Sequence, residues 1–431
     1  MANKVQLKRS AVPGKIPATT DLALGEIGIN TYDGKAYIKK NVSGTESIVP
    51  LGGAGSGDVT GPSSSTDNAI ARFDGASGKI IQNSTATLND DGFAQFSGMN
   101  QGQLAGFRNA FVNGKMTVSQ EQESFTANAS TNGYVADQWK VGLGADSSAV
   151  LDVSRTNNTP TFDFNHSLNL SVTTADTSVA ANEFIVVNGY VEGYDARRFI
   201  GKDLTISFWA YSSLTGVYCI ALRNSATDRS YVAEFNLNTA GAWQKITITI
   251  PGGLITAGTW NYTNGMGINF TVCLQSGSTL GGATANTWIT GNKIATSNQV
   301  NWAGATGRTF GVTGFQIETG TVATPFEHLP QAVELALCRR YFFQLAGSDL
   351  QGGGMGNSNG QGFPQTLFIA PMRAAPTVVA PTAQTASCTV ALAASANTLL
   401  VVATYTSATI GAWAYNFSQG TGIVKLNARF V

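Results

Sequence analysis

His166 and His328 are the only histidines in the 431 residues. A Ser-His-Asp triad needs an imidazole beside its nucleophile, and most histidine-rich metal sites need several, so the count nearly excludes both chemistries. Carboxylates are less restrictive, because glycoside cleavage needs only two of them flanking the bond. Here Asp146, Asp152, Asp163, Asp176, Asp195 and Asp228 are scattered, and no spacing selects a pair. Cys219, Cys273, Cys338 and Cys388 are far apart, so no C-x-x-C metal or redox pattern exists. Cys219 and Cys273 sit in apolar, strand-like runs and read as buried, reduced thiols. The glycine-rich segment 352–360 lacks the Lys-Ser/Thr of a phosphate-binding loop and reads as a surface loop or a tight contact between chains. The expectation is therefore a protein without catalytic residues, cofactor or metal, and not an enzyme.

Aromatic residues offer a different chemistry. Trp260, Tyr262, Trp288 and Trp302 lie in stretches rich in Gly, Asn and Thr, outside the alternating runs. An exposed ring can cover the apolar face of a sugar while neighbouring Asn, Gln and Asp bind its hydroxyls, as amphipathic aromatic side chains do. Trp413 and Tyr415, near the carboxy end, are placed to do the same at a distal tip. These six are the candidate glycan-binding residues. For each the competing role is to cap a hydrophobic core. Trp139 and Trp209, inside strand-like segments, read as core, and Trp243 reads as the anchor of a strand start.

Composition limits what can position these rings. Lys+Arg and Asp+Glu both number 26, and charged residues are only 12% of the chain. So sparse and balanced a charge lacks the footprint of a nucleic-acid binder. Hydrophobic residues at 43% exclude general disorder. No apolar run nears the ~18 residues of a membrane helix, so membrane insertion is not expected. The polar, basic start, Met1 to Ser10, has no apolar stretch of the secretory kind. With 49 glycines and abundant Ser, Thr and Asn, the chain suits short strands and many turns, and the fold class is all-β.

Five segments follow. Residues 1–52 contain a hairpin: Glu26 to Thr31 alternates, Tyr32-Asp33-Gly34-Lys35 turns, and Ala36 to Lys40 returns. Residues 53–105 open with a Gly-rich joint and continue in three short strands. These carry too little apolar surface to fold alone, so they read as a stalk intertwined with copies of itself. Residues 106–327 repeat strand signals such as Lys245 to Ile250, where Ile246, Ile248 and Ile250 share one face. Their number and loop lengths argue for a β-sandwich of jelly-roll type. In 328–345, Pro330, Glu334 and Arg339/Arg340 are ordered as a short helix requires. Residues 346–431 read as a smaller β-domain.

Several stretches carry a resemblance. Leu7 to Pro17 with Leu24 to Lys35 resembles the amino-terminal segment of tailed-phage fibre and structural proteins, and Gly57 to Gly75 is similar to a tail-fibre linker module. Arg108 to Gly114, Ala136 to Trp139, Leu204 to Trp209, Phe315 to Gly320, Ala323 to Pro330 and Leu335 to Tyr341 resemble a recurrent phage-tail module with a carbohydrate-binding-like jelly roll. The resemblance covers about residues 1–345 and implies a homotrimer. Residues 1–52 would hold it to a phage tail or baseplate protein, and the carboxy-terminal β-domains would face host cell-surface polysaccharide. It implies a virion location after synthesis in the host cytoplasm, and it carries over no catalytic residue. The alternatives are a purely structural collar, head or baseplate fibre or adaptor that binds another viral protein, and a glycan-cleaving spike.

Overall fold

A computed structural model describes residues 7–52, 59–75, 78–95, 106–254, 257–346, 349–357, 359–369, 371–380, 383–407, 411–416 and 423–430. The chain divides into two compact units, Met1–Phe96 and Ser97–Val431. The protein is all-β, as composition and alternation predict, with one helix longer than a single turn, Gln331–Arg339, among the described residues.

In the first unit, Lys8–Ser10 runs parallel to Ile27–Asn30, which pairs antiparallel with Lys35–Val42, and Thr45–Leu51 closes a four-stranded sheet. The hairpin forms where Asp33-Gly34 requires it, because Gly34 takes φ +64° at the turn. Asn30 organises the neighbouring loop. Its Nδ2 donates to the carbonyls of Val12 and Lys15 and to Asp33, while its Oδ1 accepts from the amides of Tyr32 and Asp33. Only Leu22, Gly28, Asn30 and Tyr37 are buried among the described residues of this sheet and its loops. The second sheet of the unit, Ala69–Asp74, Ile80–Leu88 and Ala94–Gln95, has no buried residue at all among those described in 59–95. Ile70, Phe73, Ile80, Leu88 and Phe93 are 39–72% exposed.

The second unit is built on two facing sheets. One has seven strands in the order Thr287–Thr290, Arg229–Leu237, Gly216–Arg223, Met266–Ser276, Phe184–Glu192, Trp139–Leu143 and Gly133–Ala136. The other has six: Gln244–Ile250, Leu204–Ser212, Thr309–Thr319, Ser167–Thr174, Val150–Thr156 and Ser124–Ala127. Most strand neighbours are distant in sequence, which gives the sandwich its jelly-roll-like crossings. Alternation puts one face of each strand into a common core containing Ile206, Phe208, Ile246, Ile248, Phe270, Val272 and Phe315. Trp139 sits in this core as expected, stacked 4.1 Å from Phe315. Trp209 differs from the expectation. It lies across from Lys245 and Thr313, and a register shift between Ser207 and Trp209 leaves its ring partly exposed on the outer side of the six-stranded sheet.

The segments that carry the phage-module resemblance meet in one place and serve structure. Asn109 Nδ2 donates to Phe315 O, its Oδ1 accepts from Phe111 and Ile317, and its amide donates to Glu327. The buried Glu318 accepts from Thr324 and Gln316 and pairs with Arg108 at 3.3 Å. The buried Glu334 accepts from the Asn113 amide. These groups satisfy one another inside the fold and offer no chemistry to a ligand.

The helix is shorter than the 328–345 span. It begins after Pro330 and ends at Arg339, because Phe342–Ala346 pairs as a strand with Ile423–Asn427. Beyond it lie three three-stranded sheets: that pair with Thr377–Val379; Gln351–Gly356, Gly411–Asn416 and Gln384–Ala386; and Gly362–Phe368, Thr398–Tyr405 and Cys388–Ala394. They share a core that includes Leu350, Leu399, Val401, Val424 and Leu426.

Candidate functional site

The six aromatic candidates separate into three buried and three partly exposed residues. Trp302 is fully buried: its ring packs on Phe310 at 6.2 Å, its backbone N–H donates to Leu274 and its indole N–H donates to Thr309 O. It is a plug of the sandwich core, and no sugar reaches it. Trp413 and Tyr415 are core as well, 8% and 4% exposed. The reason is the glycine-rich segment, which is a strand and not a loop over Gln351–Gly356. Gly352 lies opposite Tyr415 and Gly354 opposite Trp413, so each ring lies on a backbone without Cβ. A Cβ at Gly352 would come within 2.7 Å of the Tyr415 ring. Phe363 stacks on Trp413 at 4.6 Å and covers the other side.

Trp260, Tyr262 and Trp288 are partly exposed. Trp288 lies on an edge strand of the seven-stranded sheet, in register with Tyr231, and Trp260 meets it edge-on at 5.8 Å. Both indole N–H groups are spent on backbone carbonyls, Trp288 on Gly253 and Trp260 on Ala257. The two rings pack against the sandwich core. They form an aromatic corner, with one edge toward water.

A second arrangement was not visible in the sequence. In the seven-stranded sheet, Lys140 lies opposite Asn188, Asn188 opposite Thr271, and Thr271 opposite Ala221. In the next row Tyr190 lies opposite Asn269, and Asn269 opposite Arg223. Directly opposed residues point to the same side, and their strand neighbours Val187, Phe270 and Leu222 belong to the inner core. The polar residues therefore share the outer face. Thr271 Oγ1 donates to Asn188 and accepts from Arg223 Nη2 at 2.7 Å, and Arg223 Nη1 donates to Asn292. Arg223 is 8% exposed, its Nε has no hydrogen-bond partner, and burial pushes its pKa down to about 10.

At one end this face opens into a cleft of about 490 Å³ between the sandwich and the last β-sheets. Tyr134, Lys140, Arg373, Asn427, Arg429 and Phe430 are among its walls. Phe430 packs on Tyr190 at 5.6 Å, and Arg373 lies over the Phe430 ring at 4.2 Å. Arg373 donates to the carbonyls of Ala428, Asn264 and Arg429. Arg429 is held between the Tyr134 and Phe342 rings, 4.1 and 3.8 Å from their centres, and pairs with Glu121 and, at 3.8 Å, with Asp137. Lys425 pairs with Glu121 at 3.1 Å.

The two carboxyls of this junction respond oppositely to their surroundings. Burial pushes Asp137 up, against the pull of Gln120 and Arg429. Burial also opposes the charge of Glu121, but Arg429 and Lys425 outweigh it and hold that carboxyl below the usual range. A depressed folded pKa gives stability that is present above the unfolded value, about 4.3, and lost as pH falls through the folded one. Glu121→Gln should therefore destabilise the protein at pH 7, and its deficit against the parent should shrink as pH falls below about 4. Urea melts of both proteins at several pH values check this. A deficit independent of pH would remove Glu121 from the account.

The signals for this face were present but incomplete. Ile268 to Leu274 alternates apolar and polar, and Asn269 and Thr271 fall on the face that an isolated strand would give to water. That three distant strands set them beside Lys140 and Arg223 is a property of strand order.

No protein-family model matches this sequence, and no curated protein does. Among solved structures the chain is similar to the enzymatically active domain of tailspike protein 4 of bacteriophage CBA120, at 15% identity and TM-score 0.27, over 51% of this chain and 22% of that one. It thus spans about a fifth of that tailspike chain. It is also similar to a putative sugar-binding protein from Bacteroides thetaiotaomicron, at 8% identity and TM-score 0.30, over 49% of this chain and 100% of that one. A third is a family 11 carbohydrate-binding module from Clostridium thermocellum in complex with a β-1,3-1,4-mixed-linked tetrasaccharide, at 13% identity and TM-score 0.24, over 48% and 100%.

Proposed function

We propose that this chain is a non-catalytic fibre protein of a tailed bacteriophage that binds host-surface glycan through its second unit and assembles as a homotrimer through its first. The observation that carries the glycan reading is the polar cleft at the end of the seven-stranded sheet. Lys140, Arg373 and Asn427 put hydrogen-bonding side chains on its wall, and the partly exposed Asn188 lies opposite Lys140, while Thr271, Asn269 and Arg223 are buried behind them. Sugar hydroxyls need such a surface, with fixed donors and acceptors already set by one another. Trp260 and Trp288 form a separate aromatic patch that a longer glycan can reach.

Assembly is supported by the first unit. Its second sheet buries nothing of its own, and Ile70, Phe73, Ile80 and Phe93 need cover that copies of the chain would supply. Three copies would present three equivalent sites, so weak sugar contacts would add up to avid attachment. Binding without cleavage is favoured because, among the described residues, Glu121 is the only carboxylate in the wall of the cleft and is engaged by Arg429 and Lys425. Glycoside cleavage requires two. In this reading residues 1–52 hold the protein to a tail or baseplate partner, and the mature protein resides in the virion. The exposed apolar side chains of the first unit also suit a purely structural fibre or adaptor, which would bind no glycan.

The test uses the full-length chain, with its mass measured by light scattering, against a panel of neutral, uronate-bearing and phosphate-bearing bacterial surface polysaccharides. A trimer that binds at least one polymer, without shortening it, is the expected result. A trimer that binds none points to the structural fibre, a monomer overturns the assembly, and shortening of the polymer overturns the non-catalytic reading.

A further inference from the structure

The outer face and its cleft carry an imbalance of charge. Among the described residues, Lys140, Arg223 and Arg373 make no ion pair, although eight other basic residues of the same chain do. Arg373 spends three of its N–H donors on backbone carbonyls, which leave its charge uncancelled. Arg223 is buried and bonded only to the neutral Thr271 and Asn292. Burying a guanidinium without a counter-charge is costly unless something supplies that charge.

The acids nearby are committed elsewhere. Glu121 serves Arg429 and Lys425, and Glu192 takes both ends of the Arg340 guanidinium at 2.6 and 2.7 Å. Glu234, on the same outer face, accepts from Thr296 and Asn298. Asp137 lies against Arg429 and Gln120. Lys140 and Arg373 therefore bring two cations without an ion pair to the wall of one cleft, where they form a local positive field.

Two of the three are open to a ligand. Arg223, three strands from Lys140, is buried and outside the cleft. Arg373 shares the cleft with Lys140, walled by Tyr134 and Phe430. Asn188, opposite Lys140 and partly exposed, suits a hydroxyl group, whereas Asn269 and Thr271 are buried behind it.

We propose that this cleft is selective for an acidic saccharide, with a sugar carboxylate received by Lys140 and Arg373 and a neighbouring sugar hydroxyl by the partly exposed Asn188. The inference rests on the glycan-binding reading above and narrows it to one ligand class. Carboxylate suits the cleft because a guanidinium presents a planar pair of donors to it, while the ammonium of Lys140 adds a point charge.

The experiment takes the uronate-bearing polymer bound most tightly by the full-length chain and compares it with the same polymer after its carboxyl groups are reduced to alcohols. Reduction should weaken binding at least tenfold, and so should raising the salt from 50 to 500 mM. Lys140 is partly exposed, so Lys140→Gln should leave the melting temperature unchanged, weaken binding tenfold or more, and lose most of the sensitivity to carboxyl reduction. Lys140→Arg should restore both. If only neutral or only phosphate-bearing polymers bind, or if carboxyl reduction or Lys140→Gln changes nothing, the acidic-sugar inference is overturned while glycan binding stands. Binding to no polymer at all overturns both.

Discussion

Trp302→Ala should destabilise the second unit by about 3–5 kcal/mol, the range found when a large aromatic side chain is removed from a packed core. Trp302 is fully buried, contacts Phe310, and donates its indole N–H to Thr309 O. Its removal leaves a cavity, while Thr309 O keeps the Ser213 amide as donor. Trp260→Ala is the matched control, since that ring is partly exposed and should cost about 1 kcal/mol or less. Urea unfolding followed by circular dichroism measures both. Equal effects of the two substitutions would mean that Trp302 is not the plug described above. Any loss of glycan binding in Trp302→Ala is then to be read as loss of fold.

Arg429→Ala should be comparably damaging, by about 3–5 kcal/mol, because it strands buried partners. The guanidinium lies between the Tyr134 and Phe342 rings and faces both Glu121 and Asp137, with its side chain only 4% exposed. Without it, Glu121 keeps Lys425, but Asp137 is left buried with Gln120 alone. Arg429→Met preserves much of the packing between the rings and removes only the charge. It should therefore recover part of the loss at pH 5, where Asp137, whose pKa is raised by burial, is closer to neutral than at pH 7. Comparing the two variants at both pH values separates packing from charge. A loss below 1 kcal/mol for Arg429→Ala would show that this junction is not held by the network.

How far the sequence is legible depends on the range of the interaction that decides each feature. The Asp33-Gly34 hairpin was legible because a two-residue turn with a positive φ is local. The strand Gln244–Ile250 was legible for the same reason, its period of two being written in Ile246, Ile248 and Ile250. Pro330 marked the helix start, but its end was set by the pairing of Phe342 with Asn427, a residue far along the chain. The segment 351–356 looked like a loop because glycine is a poor strand former. It is a strand because Trp413 and Tyr415 need bare backbone to lie on.

The candidate site shows the same division. Aromatic residues in Gly- and Asn-rich stretches are compatible with both a sugar platform and a core plug, and flanking residues do not choose between them. Trp302 and Trp288 have similar neighbours in sequence, yet one is at 0% exposure and the other remains partly open. The polar face escaped notice because Asn188, Thr271 and Arg223 each read as the solvent side of a separate strand. By itself the sequence determined an all-β chain with a thin amino-terminal part and a body of alternating strands, because side-chain periodicity and turn residues act within a few positions. Only the tertiary structure decided which rings are core, that Arg223 is buried without a counter-charge, and that Lys140 and Arg373 line one cleft. Those facts follow from strand order and from the docking of the last sheets on the sandwich, which no local signal encodes.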